Sequence, residues 1–138
     1  MLHALFPMIL AFAAATQDDA LLMPKANLIE SRAVPQHVLD PSIPPGGILA
    51  NYRDKQGAYQ MILVRQPSSE KAAFLLLDCK KVMTDAHYLA HMGGYAGKKN
   101  GEPFYVFAKG PFLAAVKGRP EQQADTLARI FAARLPLR

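Results

Sequence analysis

This chain of 138 residues has one cysteine, Cys79, so no internal disulfide can form and the stapled class of small secreted domains is excluded. The first fifteen residues hold no Lys, Arg, Asp or Glu, and their apolar run, residues 4–15, is too short to span a bilayer. That run ends in Ala13-Ala14-Ala15, directly before the polar Thr16-Gln17-Asp18-Asp19, the pattern of a secretory signal cleaved after a small residue. Its leading region lacks Lys and Arg, so positive charge there comes only from the α-amino group and His3; the competing reading is a buried or surface-lying helix. No cysteine follows closely, so a lipidated N-terminus is not supported. The expectation is a soluble product, secreted or periplasmic, that does not span a membrane after cleavage.

What is present describes one folded domain. Removing residues 1–15 from 138 leaves 123, enough for a single core, and 51% hydrophobic with 20% charged residues is a globular composition. All 16 basic and 11 acidic residues follow Ala15, so the net charge of +5 belongs to that domain. The charge implies a weak attraction to anionic surfaces and names no partner. The apolar Phe74-Leu75-Leu76-Leu77 before Cys79 argues that the thiol is buried.

Residues 16–47 carry five prolines and Gly46-Gly47 without periodicity, which reads as an extended arm lying along a domain of residues 48–138. Residues 48–54 and 59–66 form an expected hairpin, and residues 103–109 and 112–117 a second. Between them periodicity does not arbitrate. A turn at residues 67–69 favours a third strand over 72–78, whereas Glu70, Lys71, Lys80 and Lys81 suit a helix over 69–83 and the order β-β-α-β-β-α. Residues 86–92 read as a short helix ended by Gly93-Gly94, and residues 95–101 as a polar loop. The clearest element lies between Pro120 and Pro136. There Ala124, Leu127, Ala128, Phe131 and Leu135 fall on one helical face with Ile130 beside them. The fold class is α+β, a mostly antiparallel sheet of two hairpins plus one strand packed by a C-terminal amphipathic helix.

No motif assigns a reaction or a family. His87 and His91 are four apart, so on a helix they share a face and could begin a metal site, with a third ligand from Asp78, Cys79 or Asp85. The glutamate that follows the first histidine in zinc-protease helices is absent. Cys79 with His87 or His91 is the residue set of a thiol hydrolase, without a local signature of one. Gly93 to Lys99 is too short for a phosphate-binding loop, and Phe104-Tyr105-Val106-Phe107 lacks the glycines of an RNA-binding strand, so nucleotides and nucleic acid are not expected. Tyr88, Tyr95, Lys98, Lys99 and Asn100 lie around a glycine-bearing stretch and form the expected ligand or partner surface. The reading is an exported domain with a non-catalytic binding or accessory role, no cofactor, and an unknown protein or small ligand as partner. The alternative is a small metal-dependent or thiol hydrolase using Cys79, His87 and His91.

Overall fold

The computed structural model describes residues 18–137. The expected signal, Met1 to Ala15, lies outside the described residues. The architecture is α+β: one antiparallel sheet of seven strands with helices on its faces. In chain order the elements are β1 (Leu28–Asp40), β2 (Ile43–Asp54), β3 (Gly57–Arg65), α1 (Ser69–Lys81), β4 (Thr84–Leu89), β5 (Gly94–Lys99), β6 (Glu102–Lys109), β7 (Phe112–Lys117) and α2 (Glu121–Arg134). The sheet order is β1-β2-β3-β7-β6-β5-β4, which leaves β1 and β4 as the two edges.

Alternation along the central strands divides the core in two. Met61 and Leu63 on β3, Tyr105 and Phe107 on β6, and Ala114 and Val116 on β7 face α2 and pack with Ala124, Ala128, Phe131 and Leu135. Ile62, Val64, Phe104, Val106, Leu113 and Ala115 face the other way, against Leu75, Leu76 and Cys79 of α1. Strands covered on both faces read as continuous apolar runs, which is why residues 61–64 and 104–107 carry no polar group but the Tyr105 hydroxyl. On α2, Ile130 is not part of the packing surface expected of it; it is 52% exposed.

Residues 28–47 form no separate arm. Their prolines occupy positions where a missing N–H breaks no ladder. Pro35 lies on the edge strand β1, and Pro44 and Pro45 precede Ile48, where β2 begins to pair with β3, so that segment has only β1 as a neighbour. The β1–β2 hairpin also bends. Its register shifts between Gln36 and Asp40, His37 takes φ 56°, and His37 Nδ1 donates to the Ile43 carbonyl at 3.0 Å. Leu39 and Ile43 at its tip are thereby buried in the α1-side core. A side chain on Gly47 would run into the Leu63 carbonyl oxygen, so glycine is required where β2 crosses onto the sheet.

The strand expected over residues 72–78 is a helix. Ser68 caps α1, its hydroxyl accepting from the Lys71 N–H at 3.1 Å, and Lys80 and Lys81 close the last turn where cations suit the helix dipole. The deciding pattern is Ala72, Leu75, Leu76 and Cys79, buried at helical spacing, while Phe74 and Leu77 face outward. The helix expected over 86–92 is strand β4 followed by a turn, because residues 84–89 add to the free side of β5. The loop expected over 95–101 is β5 and a two-residue turn, Asn100 (φ 53°) and Gly101 (φ 78°), which sets Lys99 opposite Glu102.

Residues 18–25 sit against the α2 side. Asp19 pairs with Arg65 at 2.6 Å, Met23 is fully buried, and Arg134 donates to the carbonyls of Leu21 and Leu22.

Candidate functional site

The start of α2 meets the edge hairpin β4–β5 and β6, and a cleft of about 380 Å³ opens between them. Register places its groups. His87 pairs with Ala96 and Lys98 with Pro103, so His87, Ala96, Lys98, Pro103 and Tyr105 share the α2 face of the sheet. Pro120 and Glu121 bring the first turn of α2 over them, and Arg119 lies just before it. The register between β4 and β5 shifts after Thr84, and Asp85 stands in that irregularity with φ 56°, its side chain at the cleft.

Two histidine–carboxylate pairs clasp the hairpin to the helix. His87 Nε2 lies 2.9 Å from Glu121 Oε1. His91, in the β4–β5 turn, has Nε2 at 2.5 Å from Asp125 Oδ1. A carboxylate only accepts, so Nε2 carries the proton in both pairs. Glu121 and Asp125 are four apart on one face of α2, which sets the two clasps side by side. Asp125 is shared: the Tyr105 hydroxyl donates to Oδ1 and Arg129 Nε donates to Oδ2 at 2.8 Å. Burial pushes the Asp125 carboxyl up, but the donors Tyr105, His91 and Arg129 outweigh it and bring it down to about 2. Burial and the adjacent carboxylate push the Tyr105 phenol above its ordinary range, so it stays a donor.

Arg119 fixes the start of the helix and is 4% exposed. It donates to Asp54 Oδ1 (2.5 Å), the Gly57 carbonyl (2.6 Å) and the side chains of Gln56 and Gln123, and lies over the Tyr59 ring at 4.6 Å. It ties the β2–β3 turn to α2, and both terminal nitrogens of its guanidinium are taken up in doing so.

The sequence-derived candidates separate onto two faces. Lys98 lines the cleft. Tyr88 and Tyr95 meet edge to face at 5.6 Å on the α1 side, with Lys80 over the Tyr95 ring. Lys99 is buried on that side against Asp40 at 3.0 Å, and Asn100 is in the hairpin turn, so the five do not form one surface. His87 and His91 are not on one helix, and each is paired with its own carboxylate. Cys79 faces the α1-side core with the sheet between it and both histidines; burial first, and then the neighbouring Asp78, push its thiol up to about 12. Among the described residues no cluster of three His, Cys, Asp or Glu is placed to hold a metal ion. Sequence reasoning missed Glu121, Asp125 and Tyr105 as partners. The available signal was Asn100-Gly101, which marks a tight hairpin, makes residues 94–99 a strand and brings 84–89 beside it.

No family model matches the sequence, and no curated protein is significantly similar to it. The fold has a solved counterpart. A GTP binding regulator from Thermotoga maritima, known from its crystal structure, is similar over 89% of this chain and 88% of its own, with a TM-score of 0.63 and 12% sequence identity. At that identity the likeness is one of fold.

The depressed carboxyls give a pH prediction. Hydrogen bonds from the Ser42 side chain above all, then its N–H and Lys99, outweigh burial and bring Asp40 down to about 2, as the donors around Asp125 do there. Asp54 is also lowered, chiefly by Arg119. These carboxyls bind protons less readily folded than unfolded, so their stabilisation is whole above the ordinary carboxyl value of 3.8 and is lost as pH falls toward 2. Denaturant midpoints are expected to hold through neutral and mildly acid pH and then fall steeply between about pH 4 and 2. A midpoint unchanged down to pH 2 would count against these pairings.

Proposed function

We propose that this chain is an exported, non-catalytic domain that binds a ligand or partner in the cell envelope or outside the cell, and that the cleft between β4–β5 and the start of α2 is where it binds. The observation that carries the reading is the division of chemistry by the sheet. Cys79, with its raised thiol, is buried on the α1 side, while His87 and His91 stand on the α2 side bonded to carboxylates. Tyr105, whose hydroxyl shares Asp125 with His91, is held protonated by burial and Asp125. A thiol hydrolase needs nucleophile and base in contact. A binding role needs only the concave, mostly apolar surface with convergent polar groups that the cleft supplies.

Asp85 and Glu121 also bear on the ligand's charge. They offset Lys98 and Arg119 in the same lining, so the cleft has no excess of positive charge to hold a nucleoside triphosphate, and the GTP of the Thermotoga maritima protein is not the ligand proposed for this chain. The formal charge of +5 supports a weak, general attraction to anionic surfaces beside this specific site.

Turnover decides between binding and hydrolysis. Ester, peptide and phosphodiester probes incubated with the chain and with a His87→Ala/His91→Ala variant are expected to show equal, background rates. Hydrolysis by the parent that disappears in the variant would overturn the reading. Export has its own measurement. Expressed in a Gram-negative host, the chain is expected in the periplasm with an intact mass beginning at Thr16, whereas an unprocessed cytoplasmic product would contradict it.

A further inference from the structure

The charged groups of the cleft differ in whether they are already paired. His87 and Glu121 bond each other, and the terminal nitrogens of Arg119 bond Asp54, Gln56, Gly57 and Gln123. Asp85 and Lys98 are different. Both line the cleft, both are exposed, and they come from adjoining strands, since Lys98 is paired with Thr84, the residue before Asp85. Although opposite in sign and close in register, they form no ion pair with each other, and among the described residues neither side chain bonds to any other group. The same cleft has an apolar floor to which Ala96, Pro103, Pro120 and Tyr105 contribute.

We infer that the ligand of this cleft is a zwitterionic short peptide, of about dipeptide size, whose ammonium group pairs with Asp85 and whose carboxylate pairs with Lys98 while an apolar side chain covers the floor. This rests on the binding role proposed above and specifies its ligand. A ligand with one charge would leave either Asp85 or Lys98 unmatched, and a polyanion would find no excess of positive charge, since Asp85 and Glu121 offset Lys98 and Arg119. A wholly apolar ligand would strip water from both charges without replacing it. The volume of about 380 Å³ lies at the small end of ligand clefts, roughly 300–1,000 Å³, which limits the peptide's length.

Calorimetric titration of the full chain with the dipeptide Ala-Leu tests the inference, beside the same dipeptide blocked by N-acetylation, by C-terminal amidation, and at both ends. Exposed charge pairs are weak, so each blocked end is expected to lower affinity by about two- to fivefold. The substitutions cross with the blocks. Asp85→Asn should erase the penalty of acetylation and keep that of amidation, and Lys98→Gln should do the reverse. Both residues are exposed, so neither change opens the core. If the doubly blocked dipeptide binds as tightly as the zwitterion, or the penalties do not cross, the inference is overturned while a binding cleft remains. Absence of binding by every dipeptide also overturns it, and the binding reading is then judged separately by the turnover measurement.

Discussion

Phe131→Ala is expected to lower the unfolding free energy by about 3–5 kcal/mol, read as a reduced denaturant midpoint with an unchanged slope. The ring is fully buried at the centre of the α2-side core and meets Phe107 edge to face, with centroids 6.2 Å apart. The same buried cluster includes Ala124 and Ala128 on the helix and Ala114 on β7, residues too short to move into the space the ring leaves. A loss of that size is a large part of the roughly 5–15 kcal/mol that holds a domain folded. Phe131→Asp adds an unpaired charge to the cavity and should leave no folded protein. A soluble, protease-resistant Phe131→Asp chain would contradict the packing of α2 described above.

The second large effect lies across the sheet. Lys99 (8% exposed) and Asp40 (14% exposed) pair at 3.0 Å and hold the folded-over tip of the β1–β2 hairpin to the end of β5. Lys99→Ala would leave the Asp40 carboxylate largely out of water with only Ser42 as a donor, a change expected to cost about 3 kcal/mol. The double variant Asp40→Leu/Lys99→Met should recover most of that loss, because the penalty comes from the orphaned charge more than from the missing attraction. Equal stability of Lys99→Ala and the parent would show that the hairpin tip is not held in this way. A double variant no more stable than Lys99→Ala would show that the charge is not the cause.

Legibility of the fold from sequence followed how local each determining contact is. The α2 helix was readable because its signals lie within it: Pro120 before the first turn, Glu121 in it, and Ala124, Ala128 and Phe131 on one face. Residues 72–79 carry an equally helical stripe, but the consecutive Phe74 to Leu77 obscured it, and only packing shows that Phe74 and Leu77 face outward. Strand β4 had no local signal of its own. Asp85 with φ 56°, His87 and exposed Tyr88 pair because β5 offers a free edge, a contact dependent on the Asn100-Gly101 turn further along the chain. Prolines misdirected the reading of residues 28–47 for a related reason: a proline excludes a central strand but not an edge, and edges are assigned only once the whole sheet is assembled.

The site was less legible than the fold. The chemistry of His87 and His91 is visible in the sequence, yet their partners Glu121 and Asp125 lie 34 residues away on another element, and no spacing rule connects them. Tyr88, Tyr95 and Lys99 lie near Lys98 in sequence. In a strand alternate side chains face opposite ways, so that nearness divides them between the two faces.

Heteronuclear NMR of the labelled full chain, titrated with the dipeptide Ala-Leu and then held for a day, tests both where the site is and whether it reacts. Saturable shifts are expected at Asp85, Ala96, Lys98, Tyr105 and Glu121, the groups around the cleft, with the dipeptide recovered unchanged. Shifts centred instead on Tyr88, Tyr95 and Lys99 across the sheet, or release of free alanine and leucine, would contradict a non-catalytic binding cleft on the α2 face.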